Sequence, residues 1–99
     1  MSTLAERRVT MLRHLIQDVL DERARQDAKW GHPTERAISL GTWQVVLVEE
    51  VGEVSRAILH RDRDNLRDEL IQVAAVALAM AEAGHQLARF LDHDEGAVE

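Results

Sequence analysis

Cysteine is absent from the 99 residues, which removes disulfides, a thiolate zinc site and a cysteine nucleophile from consideration. No stretch approaches the roughly 18 uninterrupted apolar residues that span a bilayer. The opening residues Met1-Ser2-Thr3-Leu4-Ala5-Glu6-Arg7-Arg8 lack the apolar core of a signal peptide, so a cytosolic location is expected. Glycines are few, and neither Gly41 nor Gly52 belongs to a GxxxxGK[ST] phosphate loop. Positive charge is also scarce: 12 Lys and Arg stand against 18 Asp and Glu, a net charge of −6. That balance argues against DNA or RNA as a partner, because a broad grip on phosphate needs a basic face to displace counterions.

What is present is a chain that is 45% hydrophobic and 30% charged, enough for one soluble domain with a core. At this size burial is incomplete, and such a chain gains by pairing with itself. The single proline, Pro33, lies in Lys29-Trp30-Gly31-His32-Pro33-Thr34-Glu35-Arg36, the one clear loop. Before it, Leu4, Met11, Leu12, Leu15, Ile16, Val19 and Leu20 recur at helical spacing and predict an amphipathic helix over 3–28. A second helix is expected from Gly41 or Thr42 to His60, capped by Ser39 or Thr42. After a turn at Arg61-Asp62-Arg63-Asp64, Asp62 or Asp64 caps a third helix that stops near Gly84 or, after a short break, runs on to Phe90.

The third helix is apolar nearly all round between Leu70 and Ala81, which calls for cover on more than one face. A homodimer, or a tetramer, with a bundle core built from the second and third helices is therefore expected. The fold class is all-α: a helical hairpin plus an N-terminal helix, in one domain over residues 1–91. The tail over 92–99 is acidic, lacks a core pattern and is expected to fray.

Two acidic words stand on these apolar helices: Glu49-Glu50-Val51-Gly52-Glu53 and Glu69-Leu70-Ile71-Gln72. Glu49, Glu50 and Glu53 fan across roughly 100° of the second helix, a sector shared with Val46 and Ala57. In an antiparallel hairpin turning at 61–63, a rise of about 1.5 Å per residue sets Glu53 level with Glu69 and Glu50 level with Gln72. Carboxylates lodged among apolar groups cost free energy unless something positive compensates them, and a hard cation such as Mg2+ takes oxygen ligands. Solvated surface glutamates are the bland reading of the same residues.

The run Glu49-Glu50-x-x-Glu53, then Glu69-x-x-Gln72, with Trp30-Gly31-His32-Pro33 and Trp43-x-x-x-Leu47 upstream, resembles the all-α nucleoside triphosphate pyrophosphohydrolases of the MazG-like family over about residues 27–82. The resemblance implies hydrolysis of a nucleoside triphosphate to the monophosphate and pyrophosphate. It implies Mg2+, or Mn2+, held by Glu50, Glu53 and Glu69. Glu49 would bind a second metal or orient the attacking water. The family's second motif ends in aspartate where this chain has Gln72, which could ligate only as a neutral carbonyl and leaves catalytic efficiency open. Lys29, Trp30 and His32 are the substrate-binding candidates, with Trp30 free to stack on a base or to cover a core edge. Trp43 is expected to anchor the core, and Arg36, Arg56, Arg63 and Arg67 are cations near the acidic helices. The alternative function is a non-catalytic helical dimer on the same scaffold that binds nucleotide or a protein partner; a helical adaptor without ligand is the third.

Overall fold

A computed structural model describes residues 1–36 and 38–93. Four helices occur in chain order: α1 (Leu4–Trp30), α2 (Leu40–Leu59), α3 (Arg63–Glu82) and α4 (Gly84–His93). There is no strand among the described residues, so the all-α expectation holds.

Local chemistry sets the ends. Thr3 and Glu6 form a capping box at the start of α1, each side chain bonding the other's backbone N–H at 3.1 Å. The Ser39 hydroxyl accepts from the Thr42 N–H to begin α2, and the Asp62 carboxylate accepts from the Asn65 N–H to begin α3. Of the expected alternatives, Ser39 and not Thr42 caps α2, and Asp62 and not Asp64 caps α3. Between α2 and α3 the chain reverses through His60 and Arg61, whose φ of 53° is the only positive value outside glycine among the described residues.

One boundary differs from expectation. α1 continues past Ala28 to Trp30, so Lys29 and Trp30 sit on its last turn and not in the loop. The helix ends instead at Gly31, whose φ of 88° and ψ of 163° suit glycine almost alone and whose N–H still bonds the Asp27 carbonyl. α3 stops at Glu82, close to the expected end near Gly84, and after a break at Ala83 α4 runs on to His93, as the second of the two expected endings had it. The rest of the expected tail, 94–99, lies outside the described residues.

α3 is the hub, lying against α1, α2 and α4. Ala75 and Ala79 are buried on it, as is Ala83 just past its end, and such short side chains let the neighbouring backbones approach closely. Trp43 of α2, 4% exposed, fills the space that the alanines leave, packing with Val76, Ala79, Ile38, Val46, Leu47 and Met80. The core anchor expected at Trp43 is therefore in place. Much apolar surface stays outside: Leu12 and Ile16 on α1, Val45, Val48 and Val51 on α2, and Leu70 and Leu78 on α3 are exposed. Among the described residues no helix is long and apolar enough to cross a membrane.

Candidate active site

The hairpin of α2 and α3 brings Glu50, Glu53 and Glu69 into one half-buried region, and α1 adds Glu22 from the third side. Burial, then the negative charge of Glu69 and a hydrogen bond with it, then the charges of Glu53 and Glu22, push the Glu50 carboxyl above the ordinary glutamate range. The expected intrusion of carboxylate onto apolar ground is thus present, and it is most severe at Glu50. Glu53 lies 3.8 Å from Arg56, one turn along α2. Glu49 is exposed.

Glu22 moves the other way. Hydrogen bonds from Arg25, then from Gln72 and Gln26, hold its carboxyl below the ordinary range against the cost of burial. The Gln72 amide oxygen accepts from Gln26 Nε2 at 3.4 Å. In this conformation Gln72, the neutral ligand candidate of the sequence, is hydrogen-bonded to Gln26 of α1 and lines the same cavity as Glu50.

A cavity of about 390 Å³ opens beside these residues, with Glu50 and Gln72 on one side and Arg25, Lys29 and Trp30 on another; Ile38, Val46 and Val76 supply apolar wall. Lys29 Nζ stands 4.8 Å from the Trp30 ring centre, and Arg36 stands 5.0 Å from the ring of Trp43, which also lines the cavity. Two of the three substrate-binding candidates, Lys29 and Trp30, thus line the same cavity as Glu50.

His32 does not line that cavity. Its Nδ1 takes the Thr34 hydroxyl and N–H at 2.8 and 3.3 Å, and its Nε2 lies 3.5 Å from Glu82. Glu82 in turn accepts from Nε of Arg23 at 2.9 Å. Arg23, 4% exposed, also donates to Gln26 at 3.0 Å and Asp27 at 2.9 Å. A chain of polar side chains therefore links the loop after α1, through Glu82, Arg23 and Gln26, to Gln72 beside the acidic residues. Of the other cations, Arg67 bonds Asp18 at 2.6 Å, and Arg63 borders an apolar groove between α1 and α3.

Glu22, Arg23, Gln26 and Glu82 were not among the sequence candidates. The signal for the α1 residues was their spacing: Leu15, Val19, Glu22 and Gln26 follow one helical stripe, so Glu22 and Gln26 inherit the face that packs on α3. Half-buried carboxylates crowded in this way offer the hard oxygen donors that a divalent cation takes. Among the described residues no three His, Asp or Glu side chains are gathered into an ion cage, so holding an ion requires their side chains to rotate inward.

The family model of the MazG nucleotide pyrophosphohydrolase domain matches residues 39–95, more than half of the chain and the whole of the α2–α3 hairpin. Neither curated proteins nor solved structures gave a match. From the two acidic motifs, the all-α hairpin that presents them and the match over its full length, the chain belongs to the MazG nucleotide pyrophosphohydrolase domain family.

Proposed function

We propose that this protein is a Mg2+-dependent nucleoside triphosphate pyrophosphohydrolase that releases nucleoside monophosphate and pyrophosphate. The observation that carries the proposal is the crowding of Glu50 against Glu69, Glu53 and Glu22 at the edge of a cavity that also bears Lys29 and Trp30. Such crowding raises the energy of the metal-free protein, and a cation relieves it.

Glu50, Glu53 and Glu69 are the ligands in this reading, with Mn2+ as an alternative ion. The ion, when bound, clamps the triphosphate oxygens and offsets the charge that develops on them. Glu49, at the solvent side, accepts a proton from the water that attacks the α-phosphorus. Lys29 meets the negative polyphosphate, and Trp30 offers a ring face to the base. His32, tied to Glu82, holds the loop over the cavity. Gln72 orients Glu22 and ligates only if its oxygen leaves Gln26.

The exposed valines of α2 and leucines of α3 support a homodimer joined through these helices. A cytosolic location is part of the same proposal.

Pyrophosphate release from a panel of triphosphates, with Mg2+ or Mn2+, tests it. Wild type is expected to turn over at least one triphosphate and Glu53→Gln to lose at least a hundredfold of that rate. Binding without release in the wild-type chain would favour a non-catalytic nucleotide-binding dimer instead.

A further inference from the structure

The side of α2 that faces away from the core is apolar. Val45, Val48, Gly52, Ser55 and Leu59 recur at the alternating three- and four-residue spacing of a helix–helix seam, opposite the buried Trp43 and Ala57. Val48 is 61% exposed and Leu59 78%, and Val51 and Ile58 are exposed along the margin. Ser55 donates its hydroxyl to the Val51 carbonyl at 3.4 Å, so its polar group serves its own helix.

Gly52, in the middle of this stripe, has no use within one copy. Glycine weakens a helix interior relative to alanine. Gly31 is the only described glycine with a positive φ, so Gly52 is not there for an unusual backbone angle. A Cβ built on it would meet nothing within 4 Å. One copy alone would be better served by alanine, whereas two helices crossing at this point gain from the close approach that a bare Cα allows.

Charge sets the direction of the second helix. Glu49 and Arg56 stand seven residues apart and about 20° from one another round α2, so both lie on one flank of the stripe. When two copies of α2 cross antiparallel about a two-fold axis at Gly52, that flank meets itself. Glu49 of one copy then comes within about 1.5 Å of the level of Arg56 of the other, and the pair forms twice. Val45 comes level with Leu59 of the other copy. In a parallel pair like charges would come level instead. Within one copy Arg56 lies 3.8 Å from Glu53 and stays exposed, so its guanidinium can turn to a second carboxylate.

We propose that α2 pairs with α2 of a second copy, antiparallel and crossing at Gly52, so that Arg56 of each copy stands against Glu49 of the other. The assignment rests on the homodimer reading above and names its axis. It also makes the site a shared one, because Glu49, which takes the proton of the attacking water in that reading, is paired with a cation from the neighbouring chain.

Light scattering and sedimentation of the full chain test it, with circular dichroism to show that each variant folds. Gly52→Leu has room for its side chain in one copy and none at the crossing. It is expected to stay helical and to weaken the dimer roughly a hundredfold in Kd. Arg56→Glu and Glu49→Arg are each expected to weaken it roughly tenfold, and the double reversal to recover most of that loss. The chain has no cysteine, so a single one reports on the axis. Gly52→Cys is expected to close a disulfide between copies on mild oxidation. Val45→Cys is not, because its two copies lie about 20 Å apart along an antiparallel pair.

A Gly52→Leu variant that keeps the wild-type mass overturns the assignment. So does a double reversal no tighter than the single ones, or a Val45→Cys disulfide that forms as readily as the one at Gly52→Cys. Should the wild type be dimeric under any of these results, the axis at Gly52 fails and the homodimer reading stands. A wild type that is monomeric at every concentration overturns both. If Gly52→Leu does not fold, the charge reversals and the cross-links decide.

Discussion

At the scale of the single residue, Glu50 and Gly31 have the most to lose. The folded state holds the Glu50 carboxyl above the ordinary value near 4.5, so above that value the native protein binds more protons than the unfolded chain. Stability without metal should therefore fall as pH rises from about 4.5 through the raised folded value, and Glu50→Gln should remove that fall and melt higher than wild type at neutral pH. Glu22 works in the opposite sense and lower down: its depressed carboxyl contributes stability that is complete above 4.5 and is lost as pH falls through its folded value. Melting curves between about pH 2 and 8 on metal-free samples separate the two, and parallel curves for wild type and Glu50→Gln would mean that Glu50 is not strained. At Gly31 the backbone itself is at issue. An added Cβ would meet only Arg36 Cγ, at 3.9 Å, so Gly31→Ala should cost the backbone strain alone. That is on the order of 1–3 kcal/mol, or several degrees of melting temperature in a chain of this length. A melting temperature unchanged within a degree would contradict the role given to Gly31 in ending α1.

Between elements, α1 is hydrogen-bonded to α3 through Arg23 to Glu82, Gln26 to Gln72 and Asp18 to Arg67, whereas α2 packs on α3 around Trp43. Removing the buried Arg23 guanidinium strips Glu82, Gln26 and Asp27 of a charged donor at once. Arg23→Ala should lower stability by about 2–3 kcal/mol, while Glu82→Gln, at a more exposed position, should cost less. Urea denaturation of the two variants gives the order, and a larger loss at Glu82 would contradict it. The same contrast explains what could be read from the sequence. Helix starts were legible because Ser39 and Asp62 cap their own chains within three residues. The carboxylates of the hairpin were legible because a turn of known length fixes the levels of α2 and α3. Glu22 was not, because its place depends on how α1 lies across α3, which no short-range pattern encodes. The end of α1 was misjudged for a smaller reason: helical phasing continues through Lys29 and Trp30 until Gly31 stops it.

As a whole molecule the chain leaves more apolar surface outside than its small core accounts for. Val48 on α2 and Leu70 on α3 are both exposed, and an apolar groove of about 450 Å³ runs between α1 and α3 along Leu12, Leu15, Ile16, Leu66 and Leu70. Light scattering on the purified protein should give twice the 11.2 kDa chain mass or a higher even multiple, and Val48→Glu should lower it. A monomer in both cases would contradict the dimer. The crowded carboxylates remain the centre of the account, and the melting temperature measured across a Mg2+ titration tests them most directly. At tenfold excess over its Kd the ion should add about 1.4 kcal/mol of stability to the wild type, roughly 6 °C or more, and should add nothing to Glu53→Gln. Melting curves that coincide at every Mg2+ concentration in the wild type would contradict the metal centre.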